Sequence, residues 1–204
     1  MRAQAMRRTE DHYSRRARQQ GFAARSVFKL QEMQERFRLI RPGARILDLG
    51  AAPGSWSQYC LQALAGRGVV VGVDLNEPSF PPPAPGGAEF RFVRADLFAP
   101  ELQARLAEWG PYDLVLSDAA PHTSGSHLVD GQASLELAGR ALELALRLLK
   151  HGGATAIKVF QGGEEGRLLA RLREGFSRAR AFKPEASRSE SREVYLLGLG
   201  RKPG

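Results

Sequence analysis

The sequence contains one cysteine and no long apolar run, and these two shortages exclude several classes of protein. Cys60 alone cannot form an internal disulfide or a paired-cysteine zinc site, which argues against a disulfide-stabilised secreted protein. No apolar run approaches the roughly 20 residues that cross a bilayer, and no apolar segment follows the first arginines. We therefore expect a cytoplasmic protein without a membrane span, and 204 residues, 43% of them hydrophobic, fit one globular domain.

Lysine is also scarce, since only five of the 30 cationic residues are lysines: Lys29, Lys150, Lys158, Lys183 and Lys202. The sequence uses arginine almost wherever a positive charge suffices, so a lysine in an unusual place needs a specific reason. Lys158 lies inside the otherwise apolar run Ala154–Phe160. Because burying an unpaired ammonium costs several kcal/mol, Lys158 is a candidate site residue on physical grounds.

Positive charge is concentrated in two stretches of the chain. Residues 1–25 and residues 167–192 each carry a net charge of +5, whereas the whole chain carries +8, so the remainder sums to −2. Two basic flanks around a near-neutral centre predict contact with a nucleic-acid backbone. Solvated helix faces are the alternative interpretation.

Short apolar runs rich in β-formers alternate with helical patterns, which predicts an α/β fold with a mostly parallel sheet. The predicted strands are Arg45–Gly50, Val69–Asp74, Phe90–Val93, Asp113–Asp118, Ala154–Phe160 and Glu193–Leu199. The spacing of leucine and alanine predicts a helix from Gln132 to Lys150, ended by Gly152 and Gly153. No helical pattern precedes the last strand, so we expect it to run antiparallel to its neighbours.

The ends of three predicted strands indicate a site for a nucleotide-like cofactor. The first strand runs into a glycine-containing turn, where Ala52 and Ser55 stand in place of two glycines of the dinucleotide fingerprint, so NAD is disfavoured. Asp74, Asp96 and Asp118 follow or end the next strands. Because ligands of open α/β sheets bind at the carboxyl ends of the strands, these carboxylates are candidate cofactor contacts. His122 and His127 lack a recognised ligand spacing, and no metal is expected.

Five ordered motifs carry a resemblance to a known family. They are Asp11–Ser14 with Arg25–Leu30, Asp48–Tyr59, Ser117–Pro121, Ile157–Gly162 and Ser191–Tyr195. Together they closely resemble the FtsJ/RlmE family of ribosomal RNA 2'-O-methyltransferases, from about residue 11 to the end of the chain. The sequence departs from the usual family pattern in two loops, at Ser55 and at His122 and Thr123, and the residues of the chemical set are unchanged.

The resemblance implies a Rossmann-like methyltransferase fold with a seven-stranded, mostly parallel sheet, an antiparallel last strand and helices on both faces. It implies a single domain in which residues 1–40 form a basic extension and a helix carrying Lys29, and residues 41–204 form the methyltransferase domain. The implied catalytic residues are Lys29, Asp118, Lys158 and Glu193. The implied cofactor residues are Gly50, Ala51, Pro53, Gly54, Ser55, Trp56, Asp74, Leu75, Asp96, Leu97 and Asp118.

The implied reaction is transfer of a methyl group from S-adenosyl-L-methionine to a ribose 2'-hydroxyl, with a uridine of 23S ribosomal RNA in the large subunit as substrate. Lys158 would accept the hydroxyl proton or, remaining charged, stabilise the developing alkoxide. A monomer in the bacterial cytoplasm, with ribosomal RNA as partner and neither metal nor membrane, is expected. The alternatives are a noncatalytic RNA-binding assembly factor and a 2'-O-methyltransferase acting on transfer RNA.

Overall fold

The computed structural model describes residues 12–81, 83, 85–121, 124–162, 164–188 and 190–203. The first arginines of the basic N-terminal stretch and His122 lie outside the described residues. The helices are α1 (His12–Gln19), α2 (Val27–Phe37), α3 (Ser55–Ala63), α4 (Leu102–Ala107), α5 (His127–Leu148) and α6 (Glu165–Gly175). The strands are β1 (Arg45–Leu49), β2 (Val69–Asp74), β3 (Glu89–Arg94), β4 (Tyr112–Ser117), β5 (Leu149–Phe160), β6 (Phe176–Phe182) and β7 (Glu193–Arg201).

The seven strands form one sheet in the order β3-β2-β1-β4-β5-β7-β6. Every neighbouring pair is parallel except those that involve β7, which runs antiparallel to both β5 and β6. The expected fold class is therefore confirmed, including the direction of the last strand. The chain leaves β1 towards β2 on one side and later returns as β4 on the other. The carboxyl ends of β1 and β4 thus meet where the strand order reverses, which is where α/β sheets bind ligands.

Helices cover both faces of the sheet, as expected. On one face, Met33 of α2 and Trp56 of α3 pack against strand residues such as Leu116. On the other face, α4, α5 and α6 bury Leu106, Leu142 and Leu172 against the opposite side chains of the strands. Among the described residues, no helix combines the length and apolar character needed to cross a membrane.

The long helix and the strand after it have different limits from those predicted. Helix α5 begins at His127, five residues before the predicted start, and ends at Leu148. Leu149 adopts an extended conformation and pairs with Tyr112 of β4, and the register then shifts before Ala154. Gly152, with φ of 78°, lies within this irregular start of β5. The glycines therefore accommodate a bulged strand, and the prediction that they end the helix was wrong.

Strand β6 was not among the strands predicted from hydrophobic runs. Its sequence carries two arginines between the flanking phenylalanines, and its interior residues are exposed or half-buried. An edge strand needs few apolar residues, because one side of it meets solvent. The second basic stretch is also divided by the fold: the arginines of α6 lie with that helix on one face, whereas Arg180 of β6 lies over Phe37 on the α2 side.

Gly198→Ala tests how tightly β7 packs against α6, and Gly131→Ala is its comparison at an open position of α5. A methyl group at Gly198 would collide with Leu172 Cδ2 and lie 2.8 Å from the Phe176 ring, so we expect Gly198→Ala to lower the free energy of unfolding by about 1–3 kcal/mol. Gly131 lies inside α5 with open space around the added methyl group, so Gly131→Ala should raise it by roughly 0.5–1 kcal/mol. Urea unfolding monitored by circular dichroism measures both. Equal effects of the two substitutions would contradict the packing described.

Candidate active site

Four elements bring the predicted catalytic residues to one edge of the sheet. Asp118 follows β4, and Lys158 lies near the end of β5. Because β7 is antiparallel, its first residue, Glu193, lies opposite Phe160 at the same edge. Helix α2 crosses this face of the sheet and contributes Lys29. Residues separated by as many as 164 positions in the chain thus become neighbours.

The four charged side chains form two linked ion pairs. Lys29 Nζ donates to Glu193 Oε2 at 2.6 Å, and Lys158 Nζ lies 3.0 Å from Asp118 Oδ1. A distance of 4.0 Å between Lys158 Nζ and Glu193 Oε1 links the pairs. Both lysines are buried, with 7% of Lys29 and 6% of Lys158 exposed. Removing an ammonium group from water costs free energy, and a buried lysine is tolerated when a carboxylate pairs with it. We refer to these four residues as the charged cluster.

Tyr195 belongs with the charged cluster, although it was not among the predicted site residues. Its hydroxyl donates to Asp118 Oδ1 at 2.7 Å, and its ring lies 5.7 Å from that of Trp56. Burial, with the neighbouring carboxylates, raises the pKa of Tyr195 well above its usual range, so the phenol stays a donor. The available signal was positional: Tyr195 is two residues after Glu193 on the same strand, so both point to one face.

The environment keeps Asp118 ionised. Burial acts to raise its pKa, but the two nearby lysines and the hydrogen bond from Tyr195 outweigh burial, so the pKa lies below its usual range. A carboxylate held in this way stabilises a cation beside it. Asp118 therefore anchors Lys158 by its side chain, and its backbone oxygen accepts a second hydrogen bond from Lys158 Nζ at 2.6 Å.

Lys158 retains one bonding position beyond these two hydrogen bonds. In the ammonium form Nζ has three N–H groups, and in the neutral amine it has two N–H groups and a lone pair. Its two hydrogen bonds to described residues both go to Asp118. The third position is thus an N–H donor or a proton acceptor according to the charge of the amine. Both roles predicted for Lys158, accepting the hydroxyl proton and stabilising the alkoxide, would use this third position.

A crevice of about 290 Å³ lies beside the charged cluster, at the carboxyl ends of β1, β2 and β4. Six of the predicted cofactor residues line it: Gly50, Asp74, Leu75, Asp96, Leu97 and Asp118. The lining also includes residues that sequence reasoning missed: Ala52, Val73, Asn76, Ala95, Ala119, Ala120 and Leu137. Most of these have small or apolar side chains without a chemical signature. Leu137 comes from α5, and only the fold brings it to the crevice.

The other predicted cofactor residues, Ala51, Pro53, Gly54, Ser55 and Trp56, are not among those lining the crevice. Trp56 Nε1 donates to the backbone oxygen of Ser26 at 2.9 Å, and Ser55 Oγ lies 2.9 Å from Ser26 Oγ. These contacts join the turn to the residue before α2, the helix that carries Lys29. Direct contact of these five residues with the cofactor stays a prediction. The hydrogen bonds of Ser55 and Trp56 to Ser26 instead hold the turn after β1 against the start of α2.

Gly50 lies where the carboxyl ends of β1 and β4 meet, and it lines the crevice. Its φ is 79°, and an added Cβ would lie 2.6 Å from the backbone nitrogen of Ala119. Both the left-handed backbone and the missing side chain are therefore required at this position. The loop after β1 can then approach the loop after β4, which places the crevice next to Asp118.

Asp48 lies beneath the crevice and is fully buried. Ser57 Oγ donates to its Oδ2 at 2.6 Å, whereas Oδ1 has no hydrogen-bond partner among the described residues. Burial raises the pKa of Asp48 to about 7, and the nearby Asp118 and Asp74 add to the rise. The proton held by this carboxyl reduces the repulsion among the acidic groups around the crevice.

A second cavity, of about 440 Å³, opens on the charged cluster from the other side. Lys29 and Glu193 line it together with Arg25, Arg188, Glu190 and Ser191. The charged cluster thus lies between two cavities, one acidic and one with arginines in its wall.

Within the described ranges, no group of three or more histidine, cysteine or acidic side chains is placed to hold a metal ion.

Comparison with known proteins identifies the family. The model of the FtsJ-like methyltransferase family matches residues 22–201. The chain belongs to this family. This FtsJ-like methyltransferase is also 42% identical over 196 residues to Ribosomal RNA large subunit methyltransferase E of Syntrophobacter fumaroxidans, spanning 93% of this chain and 94% of that protein.

A second relative, the protein of the same name from Treponema denticola, is 44% identical over 192 residues, spanning 94% of this chain and 95% of that protein. Among solved structures, a ribosomal RNA methyltransferase from Plasmodium falciparum shares the fold, with a TM-score of 0.76 at 23% identity. The likeness covers 90% of this chain and all of that one. The resemblance inferred from the motifs is confirmed, and the protein is a methyltransferase.

Replacing Asp48 tests the buried acid. Asp48 loses its proton near pH 4 in the unfolded chain and near pH 7 in the folded protein. Between these values unfolding releases a proton, so the free energy of unfolding falls as pH rises. Asp48→Asn keeps an acceptor for Ser57 without a proton to release. The variant should gain stability relative to the wild type from pH 4 to pH 7 and level off above, with an upper limit of roughly 4 kcal/mol.

Urea unfolding across this pH range gives the comparison, and Glu108→Gln, which removes an exposed carboxylate at the end of α4, is the matched control. A difference between Asp48→Asn and wild type that does not change from pH 4 to pH 7 would show that Asp48 is ionised in the folded protein.

Proposed function

We propose that this FtsJ-like methyltransferase transfers the methyl group of S-adenosyl-L-methionine to the 2'-hydroxyl of a uridine ribose in 23S ribosomal RNA of the large ribosomal subunit. The single observation that carries the proposal is the placement of Lys158, a buried lysine paired with Asp118, which itself lines the crevice. The names of the two relatives, each spanning more than nine-tenths of the chain, support ribosomal RNA as the substrate.

The crevice has the chemistry that an adenosyl sulfonium compound requires. Asp74 accepts backbone hydrogen bonds from Ala52 at 3.0 Å and from Asn76 at 2.9 Å, which fixes its carboxylate in place with lone pairs remaining for a ribose diol. Leu97 and Leu137 offer apolar surface for a purine ring. Acidic side chains around the crevice favour a cationic donor over an anionic one. Gly50, Asp74, Asp96 and Asp118 are therefore the residues that would hold the cofactor.

When bound, S-adenosyl-L-methionine supplies an electrophilic methyl group. The remaining task for the protein is to orient a ribose hydroxyl and to manage its proton. Lys158 performs both at its third bonding position, because Asp118 fixes the direction in which that position points. Lys29 and Glu193 neutralise each other at 2.6 Å and line the second cavity, so the local charge around Lys158 remains balanced.

Two alternatives fit the site less well. A noncatalytic assembly factor has no use for two buried lysines paired with two carboxylates, since such a cluster is costly to bury. Methylation of transfer RNA would use the same chemistry. The two relatives that match more than nine-tenths of this chain are named for ribosomal RNA, which favours that substrate.

The test is radiolabelled methyl transfer to three substrates: large ribosomal subunits lacking the modification, free ribosomal RNA and transfer RNA. We expect transfer to ribosomal substrates, mapped to a 2'-O position. Lys158→Ala should reduce transfer at least 100-fold with cofactor affinity little changed, because general acid–base groups contribute roughly 10²–10⁴-fold. Lys202→Ala is the matched control, since the Lys202 side chain donates to the backbone oxygen of Arg173, remote from the site.

Each other outcome has a distinct meaning. Transfer to transfer RNA alone would keep the chemistry and overturn the substrate. Absence of transfer to any substrate, with cofactor and RNA both bound, would favour the assembly factor. Full transfer by Lys158→Ala would remove this residue from the mechanism.

A further inference from the structure

We propose that a pocket between the end of α2 and the start of β6 binds backbone phosphates of the RNA substrate, remote from the charged cluster. We name it the arginine pocket, after Arg38, Arg41 and Arg178, which line it. The proposal rests on the proposed function, which makes RNA the substrate. It adds a second contact region, built largely of residues that lie outside both basic stretches of the sequence.

The arginine pocket is a cationic cavity of about 240 Å³. Its three arginines are exposed, and their guanidinium groups form no ion pair or hydrogen bond with another described residue. The wall also contains Asp113, but Lys150 pairs with this carboxylate and the backbone nitrogen of Arg45 donates to it at 2.8 Å. The lining therefore carries three net positive charges without an internal counterion for the arginines.

Three glycines line the pocket beside apolar residues such as Phe37 and Leu199, and one of the glycines leaves the backbone open to a ligand. Gly152, Gly153 and Gly200 all line it. A Cβ added at Gly152 would meet no atom within 4 Å, so the backbone there is directly accessible. Guanidinium groups facing an accessible backbone are suited to a phosphate, which accepts hydrogen bonds from several sides.

Two further arginines extend the positive surface along the rim. Arg36 lies 5.3 Å from the centre of the Phe182 ring, and Arg180 lies 5.5 Å from that of Phe37. The two rings pack edge to face at 5.1 Å. Cation–π contact restricts the two guanidinium groups while leaving their N–H edges available. The rim is thus ordered before a ligand arrives, which lowers the entropic cost of binding.

The distance to the charged cluster suits a single RNA segment. Lys158 and Ala154 are four residues apart on β5, or roughly 13 Å, and α2 advances roughly 10 Å from Lys29 to Arg36. A nucleic-acid strand advances about 3.4 Å per nucleotide, so about four nucleotides connect the two regions.

A protein partner fits the arginine pocket less well than RNA does. The large hydrophobic residues that the described part of the chain exposes are Leu75, Phe98, Leu128 and Val129, and none of them lines the pocket. Protein interfaces usually centre on apolar and aromatic anchors, whereas phosphate binding depends on unpaired cations.

The test compares Arg38→Gln/Arg178→Gln with Arg171→Gln/Arg173→Gln. The second pair also belongs to the second basic stretch and removes the same charge from exposed positions of α6. Because α6 packs on the face of the sheet opposite to α2, these two arginines lie away from the arginine pocket. Binding of a ribosomal RNA transcript is measured by fluorescence anisotropy over a range of salt concentrations. We expect the first pair to weaken binding about tenfold and to lower the slope of log K against log salt by about two, and the second pair to leave binding within about twofold.

Steady-state methyl transfer supplies an independent readout: the first pair should raise KM for RNA, with kcat and cofactor affinity unchanged. Arg38→Lys/Arg178→Lys, which keeps the charge, should retain most of the binding and guards against misfolding of the glutamine variant. Equal effects of the two glutamine pairs, or wild-type binding by the first, would overturn the proposal. If the wild type binds RNA without methylating any substrate, the proposed function fails. The comparison of the two glutamine pairs then still shows whether the arginine pocket binds RNA.

Discussion

The buried ion pair between Lys158 and Asp118 is the interaction on which the site depends. An ammonium group inside a strand requires a carboxylate close to it, and here the carboxylate itself is held by Tyr195 and by the positive charge of Lys29. Satisfying that requirement needs four separate elements to meet at one edge of the sheet. The direction of β7 serves the same arrangement, because an antiparallel β7 places its first residue, Glu193, beside the end of β5.

The two sides of the site have opposite electrostatic character. The crevice beside Asp118 is acidic, and the raised pKa of Asp48 limits how much negative charge collects there. The arginines lie on the other side of the charged cluster and at the far end of α2. In the proposed reaction, a cationic methyl donor would favour the acidic crevice and a polyanionic acceptor would favour the arginines of the second cavity. The charged cluster lies between these two surfaces.

Sequence patterns predicted the site better than its surroundings. Lys158 and Asp118 could be predicted because a charge inside or at the end of an apolar strand is unusual. Lys29 and Glu193 came from the family resemblance, and the structure brings all four together. Tyr195 gave no such signal, since tyrosine is common in strands. Strand β6 was missed because edge strands lack a continuous apolar pattern. The arginine pocket could not be predicted, since Arg38 and Arg178 are far apart in sequence and neither belongs to an unusual motif.

A crystal structure with S-adenosyl-L-homocysteine, the product left after methyl transfer, would show directly whether the charged cluster faces the methyl donor. We expect its ribose to contact Asp74 and its adenine to lie along Leu97, with the sulfur beside Asp118 and facing the third bonding position of Lys158. A ligand bound in any other cavity, or bound in the crevice with its sulfur directed away from Lys158, would contradict the assignment of this charged cluster to methyl transfer.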